Sequence, residues 1–336
     1  MNDRTTVIVV TYNSENLIER CVDSILAEDP HELIVVDSGS KDATTEILRD
    51  NYPIVSLFEL EENMGYGSCV NHAAQQASGD YLVVMNPDTK LHSGAIQALV
   101  EPLAADPERI TAPQIRTFDE RINTCGNREH ITGLAFVRGF GDEPETHSNS
   151  EQLAGFSGAC FGIRRDTFEN LGGFEEELFL YMEDAELSWR AHSKNVEILF
   201  VPSAIVYHEY EGPAVDANKL YHLEFGRYVI LRRFYDLPTA VLLAPSLLLT
   251  ELLTWGFAVL LGTNGIRMKF CGVADGLRVD IGPEPSADPS VFAKLNVTLP
   301  IAELTDSFVG RLAGWIGNVI YKLNYALYRF FKSIDR

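Results

Sequence analysis

The densest run of reactive side chains spans residues 172–190, Gly-Gly-Phe-Glu-Glu-Glu-Leu-Phe-Leu-Tyr-Met-Glu-Asp-Ala-Glu-Leu-Ser-Trp-Arg. Within it Glu183 and Asp184 form an acidic pair directly ahead of a helical pattern, where the positive helix end steadies an ionised carboxylate. A carboxylate held there can serve as general base toward a hydroxyl nucleophile. Asp184 can equally cap the helix, and capping does not exclude catalysis. Two further acids stand just after apolar runs. In Asn86-Pro87-Asp88 the proline fixes a turn, and the Asp88 carboxylate can hold a hard divalent cation against a diphosphate. Such a cation neutralises charge developing on a departing diphosphate. Asp37, within Val-Val-Asp-Ser-Gly-Ser-Lys-Asp, can accept hydrogen bonds from a base N–H or from ribose hydroxyls, with Gly39 permitting a tight turn. Taken alone, the Asp-Ser-Gly and Asn-Pro-Asp tripeptides are also ordinary turns.

The elements that must position these acids can be read from the apolar pattern. Val7–Val10, Leu33–Val36, Ile54–Phe58 and Tyr81–Met85 are short apolar runs with the look of buried strands. Between them lie helical stretches at Glu15–Ala27, Ala43–Arg49 and Ser68–Ala77, the first placing Leu17, Ile18, Cys21, Val22, Ile25 and Leu26 on one face. This alternation predicts an α/β fold with a mostly parallel, Rossmann-like central sheet covered by helices on both faces. Ligands in such sheets bind beyond the carboxyl ends of the strands, which is where Thr11-Tyr12-Asn13, Asp37-Ser38-Gly39-Ser40 and Asn86-Pro87-Asp88 fall. Residues 113–157 are irregular and read as a mobile connection over a site. Regularity returns in a strand at Cys160–Ile163, a helix from about Asp184, and strands at Val196–Phe200 and Ala204–Tyr207.

The formal charge is −21, and it is unevenly distributed. Residues 1–236 hold 40 Asp and Glu against 18 Lys and Arg, whereas residues 237–336 hold 8 against 9. An acidic body joined to a chemically different tail is therefore expected, with the boundary near Asp236. So acidic a body repels a phosphate backbone, which argues against nucleic acid as a partner. It also requires a metal or basic group wherever a nucleotide is bound. The acid excess, with 8 Lys against 19 Arg, matches a proteome adapted to high salt; it also serves solubility. Five cysteines (Cys21, Cys69, Cys125, Cys160, Cys271) show no close-paired spacing, so neither a disulfide framework nor a zinc site is expected, and a reducing cytoplasm fits. The opening Met-Asn-Asp-Arg-Thr-Thr shows no basic region followed by a long apolar one, so no secretory leader is expected.

In the tail, residues 239–262 carry a single charge, Glu251, and are long enough for a transmembrane helix. Pro245 and the mid-span Glu251 favour a kinked or in-plane alternative. Leu312, Trp315, Ile316, Val319, Ile320, Leu323, Leu327 and Phe330 then follow helical spacing, with Arg311, Lys322, Arg329 and Lys332 among them. A basic amphipathic helix on an acidic protein reads as a membrane-surface element, the competing reading being a helix packed on the body.

Taken in order, Val-Thr-Tyr-Asn at 10–13, Asp-Ser-Gly-Ser-Lys-Asp at 37–42, Asn63-Met64-Gly65, Asn86-Pro87-Asp88 and the 172–190 run resemble family 2 glycosyltransferases. The rhamnosyltransferase-like branch, whose members build cell-surface glycans and include archaeal N-glycosylation enzymes, is the nearest in pattern. The resemblance covers roughly residues 5–235. It implies a GT-A fold and an inverting enzyme that moves a sugar from a nucleoside-diphosphate sugar to an acceptor. By position, it implies that Thr11 and Asp37 contact the nucleoside, together with the motif neighbours Tyr12, Asn13, Ser38, Gly39, Asn63, Gly65 and Asn86. Asp88 and His208 would hold Mg2+ or Mn2+, Asp184 would be the base with Glu183 beside it, and Trp189 and Arg190 would shape the acceptor or phosphate side. The usual Asp-x-Asp motif is here Asn86-Pro87-Asp88, with a neutral and weaker ligand in its first position. Joined to the apolar tail, this suggests a lipid-linked oligosaccharide or polyprenyl-phosphate acceptor at the cytoplasmic face of the membrane. Two rivals make different predictions. A sugar-nucleotide nucleotidyltransferase needs a glycine-rich basic loop near the start, yet residues 1–20 hold no glycine and two basic residues. A non-catalytic scaffold has no need of Asp37, Asp88 and Asp184.

Overall fold

The computed structural model describes residues 4–209, 215–281, 289–304 and 307–334; residues 1–3, where the leader expectation begins, lie outside these. The chain divides into two units: 1–127 with 137–212, and 128–136 with 213–336. The boundary therefore falls at 212 rather than 236. The helix after it packs with the tail, and a short excursion at 128–136 also belongs to the second unit.

The first unit opens as the alternation predicts. Strand β1 (Thr5–Thr11) leads to α1 (Ile18–Leu26), β2 (Glu32–Asp37), α2 (Thr44–Asn51), β3 (Ser56–Glu59), α3 (Tyr66–Gln76) and β4 (Tyr81–Met85). The run β3-β2-β1-β4 is parallel, and every residue of β1 and β4 is buried. Continuous apolar strands are required here because helices cover both faces.

Beyond β4 the sheet turns mixed. Strand β5 (Thr89–Leu91) and α4 (Ala95–Ala105) precede β6 (Arg109–Arg116) and β7 (Ile122–Thr124), whereas the separate ribbon of β8 (Asn127–Glu129) with β9 (Ala135–Val137) lies mostly in the 128–136 excursion of the second unit. Strand β10 (Cys160–Arg164), α5 (Arg165–Leu171), α6 (Glu183–Ser193) and β11 (Glu197–His208) complete the unit, and the sheet order is β3-β2-β1-β4-β10-β6-β11-β5. Strand β10 runs antiparallel to both β4 and β6, while β11 is parallel to β6 and antiparallel to β5. The two strands expected at 196–207 are one strand, kinked where the register shifts between Val201 and Ile205. Residues 113–157 are not a loose connection: they supply the end of β6 and all of β7, with Ile122, Asn123 and Thr124 buried.

The second unit is helical: α7 (Ala217–Phe234), α8 (Leu237–Leu242), α9 (Ala244–Leu260), α10 (Gly262–Gly276), α11 (Pro289–Phe292), α12 (Ile301–Leu304) and α13 (Phe308–Ile334). The stretch 239–262 is broken at Leu243 and Leu261 into parts of three helices, and among the described residues no helix is long and apolar enough to cross a membrane. The lone Glu251 is neutralised within this unit by Arg227 and accepts a hydrogen bond from Tyr228 at 2.9 Å. Leu248, Leu252, Leu253 and Phe257 of α9 are exposed, as are Leu312, Trp315, Ile316, Leu323, Leu327 and Phe330 of α13.

Candidate active site

The strand ends of the first unit gather the predicted acids. At the end of β1 the Thr11 carbonyl accepts from Ser38 N at 2.8 Å, tying the first two loops together. The Thr11 hydroxyl is buried and has no hydrogen-bond partner among the described residues, so it is available to a ligand atom. Asp37 is 2% exposed, and its carboxylate accepts from Ser40 N at 2.9 Å and from the Ser40 hydroxyl. A carboxylate has about four acceptor positions, so these bonds orient Asp37 and still leave room for a nucleoside donor. Asn13 stands at φ 51°, its amide oxygen accepting from Lys41 N at 2.8 Å, and Tyr12 beside it is half exposed. Asn63 accepts from the Ser38 hydroxyl at 3.1 Å and from Gly65 N at 3.0 Å. At Gly65 the φ is 81°, and a Cβ there would sit 2.5 Å from the Phe179 carbonyl oxygen, so this close approach requires glycine.

Asn86, Pro87 and Asp88 turn the chain from β4 into β5. The Asn86 carbonyl accepts the Thr89 hydroxyl at 2.6 Å, closing that turn. Thr89 pairs with His208 across the antiparallel β5–β11 contact, and Glu209 N donates to the Asp88 carbonyl at 2.9 Å. That pairing places Nε2 of His208 3.2 Å from Oδ2 of Asp88. Oδ1 of Asp88 is buried with no hydrogen-bond partner among the described residues. An orphaned carboxylate oxygen beside an imidazole nitrogen fits a hard divalent cation. Among the described residues no three His, Cys, Asp or Glu side chains cluster as a metal site, and Asp88 and His208 are a pair that could hold an ion. A magnesium-like ion commonly takes one or two protein ligands and completes its shell with phosphate and water.

The acid pair is set by an unusual turn. Tyr181 and Met182 both take positive φ, 64° and 69°, immediately before α6. Such strain persists only where its surroundings enforce it, and it is common at functional sites. Met182 occupies the cap position, so Asp184 lies inside the first turn rather than capping it. One Asp184 oxygen accepts from Ala185 N at 2.8 Å; the other accepts from Gly158 N at 2.9 Å and Asn127 Nδ2 at 3.2 Å. Glu183 is buried, and burial together with the neighbouring Asp184 pushes its carboxyl up to about 8. Burial also raises Asp184, but its three hydrogen bonds act in the opposite direction. Of the two, Glu183 is the better holder of a proton, and Asp184, with three donors on its oxygens, is the better-stabilised carboxylate. Tyr66 donates to the Gly158 carbonyl at 2.6 Å, and burial among Glu183, Asp184 and Asp88 keeps its phenol protonated.

Trp189 and Arg190 are buried and present almost no surface to a ligand. Trp189 is fully buried, and Arg190 pairs with the buried Glu186 while donating to the carbonyls of Leu171 and Gly173 at 2.9 and 2.8 Å. The expectation of an acceptor-side role gives way to a structural one: the guanidinium bolts α6 to the glycine turn. Gly172 and Gly173 both have positive φ, and Phe174 N donates to Asn71 Oδ1 at 2.8 Å. The signature run thus builds the support of the acid pair as well as the pair itself. The four cysteines Cys21, Cys69, Cys125 and Cys160 are buried free thiols, and desolvation pushes Cys21 and Cys125 up to about 12, so none is poised as a nucleophile. Asn123 and Asn127 escape sequence reading because polar residues in an aperiodic stretch look like loop, and Tyr66 and Gly158 because nothing in the sequence marks their contacts with the acid pair.

Comparison with known proteins accords with this geometry. The Glycosyl transferase family 2 model matches residues 6–172. An N-acetylglucosaminyl-diphospho-decaprenol L-rhamnosyltransferase of Mycobacterium tuberculosis is 31% identical over 62% of this chain and 76% of its own length. The chain is a family 2 glycosyltransferase. Two solved structures share this glycosyltransferase's GT-A fold. Staphylococcus aureus TarS in complex with UDP-GlcNAc superposes with a TM-score of 0.55 at 18% identity, covering 97% of this chain and 91% of that one. A mannosyltransferase from Pyrobaculum calidifontis, in complex with GDP-Man and Mn2+, gives 0.51 at 17% identity, covering 95% and 86%.

Proposed function

We propose that this glycosyltransferase moves a sugar, with inversion, from a nucleoside-diphosphate sugar to a hydroxyl of a lipid-linked acceptor at the cytoplasmic face of a membrane. The observation that carries the reading is the Asp184 carboxylate, held by Gly158 N, Asn127 Nδ2 and Ala185 N in the same neighbourhood, around Tyr66, as Glu183 and Asp88. Thr11 and Asp37 at the strand ends offer polar atoms to the nucleoside. Asp88 and His208 would hold Mg2+ or Mn2+, which when bound neutralises charge on the departing diphosphate. Asp184 takes the proton of the acceptor hydroxyl as it attacks the anomeric carbon opposite the diphosphate. Glu183 stays protonated, so no second carboxylate charge competes for the acceptor proton. One base and one displacement invert the anomeric centre.

The lipid-linked acceptor is supported by the rhamnosyltransferase relative, whose name specifies a diphospho-decaprenol sugar. The exposed apolar residues of α9 and α13, with Lys322 and Arg329 on the latter, support an in-plane membrane contact. Holding the enzyme at the bilayer raises the effective concentration of such an acceptor. The test is transfer from UDP-, GDP- and dTDP-sugars to polyprenyl-diphosphate N-acetylglucosamine in vesicles, with product anomer determined by NMR. Transfer with inverted configuration upholds the proposal; retained configuration, or transfer confined to soluble acceptors, overturns the corresponding part.

A further inference from the structure

We infer that the segment Asn123-Thr124-Cys125-Gly126-Asn127 is a two-amide positioning element, Asn123 orienting His208 for the cation and Asn127 orienting Asp184 for proton removal. The inference rests on the catalytic reading above. Asn123 is buried in β7, and its Oδ1 lies 3.0 Å from Nδ1 of His208. With the amide oxygen accepting, Nδ1 carries a proton and Nε2 is the ring nitrogen turned to Asp88 Oδ2, 3.2 Å away. A ring turned this way presents Nε2 beside the Asp88 carboxylate, the arrangement in which the two could ligate one ion, so Asn123 sets the orientation that serves a metal. Four residues on, Asn127 Nδ2 donates to the Phe156 carbonyl at 2.8 Å and to Asp184 Oδ2 at 3.2 Å. Two oxygens facing one nitrogen fix that amide's orientation.

The backbone between the two amides is rigidly held. Cys125 N donates to the Arg138 carbonyl at 2.9 Å, and Asn127 exchanges backbone bonds with Gly155 at 2.7 and 3.1 Å. Gly126 has φ 92°, and a Cβ there would meet Leu153 Cδ1 at 2.4 Å and the Gly155 oxygen at 2.9 Å. The glycine lets the chain turn sharply enough for amides four residues apart to serve two different groups. One short segment thereby links the cation site to the base.

The test uses the full chain and titrates Mn2+ by EPR in the presence of UDP and, separately, GDP, alongside pH–rate profiles. Loss of an outer hydrogen bond to a metal ligand typically weakens binding about 10–100-fold. Asn123→Ala is expected to weaken Mn2+ binding within that range, as His208→Ala does. Asn123→Asp, which keeps the accepting oxygen, should stay within about threefold of wild type. Asn127→Ala should leave Mn2+ affinity unchanged, lower kcat without raising the donor KM, and move the acid limb of the kcat profile upward, because the ionised Asp184 loses a donor. If Asn123→Ala binds Mn2+ like wild type while His208→Ala does not, the inference fails and the catalytic reading stands. If Asp88→Asn and His208→Ala also bind like wild type, the metal assignment falls and takes the Asn123 role with it. An unmoved acid limb in Asn127→Ala overturns the second half.

Discussion

Nε2 of His208 stands 3.2 Å from Oδ2 of Asp88, although 120 residues separate them in sequence. The pairing of β5 with β11 produces this contact, Thr89 lying opposite His208. If the pair holds a cation on the diphosphate, Asp88→Asn and His208→Ala should each weaken Mn2+-dependent retention of a nucleoside diphosphate by at least about tenfold. Calorimetric titration with and without EDTA reads this directly. Equal affinity with and without the metal in wild type would contradict it.

Glu183 gives a stability prediction with a definite sign. Its folded carboxyl is raised from 4.5 to about 8, so the folded chain holds a proton that the unfolded chain releases. The native state therefore loses stability relative to the unfolded one as pH climbs through that window. Glu183→Gln removes the penalty. Its melting temperature should match wild type near pH 4 and exceed it at pH 8.5 by roughly 2–4 °C for each kcal/mol relieved. Thermal melts of the two proteins across pH 4–9 would show a gap that widens with pH; a constant gap would contradict the assignment.

Arg190 should behave as a structural residue. Arg190→Met leaves the buried Glu186 without its ion pair, an arrangement that costs about 3–5 kcal/mol. Urea unfolding should show that loss, and Glu186→Leu combined with Arg190→Met should recover much of it. Folded Arg190→Met should bind nucleoside diphosphate with wild-type affinity. Loss of binding in well-folded protein would restore the phosphate-side role that its buried contacts argue against.

Membrane contact can be tested at the exposed faces of α9 and α13. Withdrawing one fully inserted Leu-sized side chain forfeits about 1.5–3 kcal/mol, roughly tenfold or more in partitioning. Leu252→Ser and Leu323→Ser should thus each weaken sedimentation with anionic vesicles while leaving the melting temperature unchanged, since both side chains are exposed. Unchanged vesicle binding in the double variant would confine these faces to another role.

The parallel half of the fold was legible in the sequence because β1, β2 and β4 are uninterrupted apolar runs, a pattern that only strands buried on both sides require. The strand-end positions of Thr11, Asp37 and Asp88 were legible for the same reason, since each closes or follows such a run. The mixed half was not. Strand β7 is three residues long, and its Asn123 looks like loop until His208 is seen opposite it. Arg190 was misplaced because a conspicuous arginine beside an acidic pair looks catalytic in one dimension. The carbonyls of Leu171 and Gly173 that claim it become visible only in three. In the tail, the breaks at Leu243 and Leu261 that divide residues 239–262 among three helices are not visible in hydropathy.

The central claim is that Asp184 removes the acceptor proton during sugar transfer. Its most direct test is the single-turnover rate of transfer to a polyprenyl-diphosphate acceptor by wild type and Asp184→Asn, with donor binding measured on the same preparations. A general base contributes about 10²–10⁴-fold. Asp184→Asn should lose at least that much rate while binding the nucleotide sugar as wild type does. A variant that transfers within tenfold of wild type would contradict the claim.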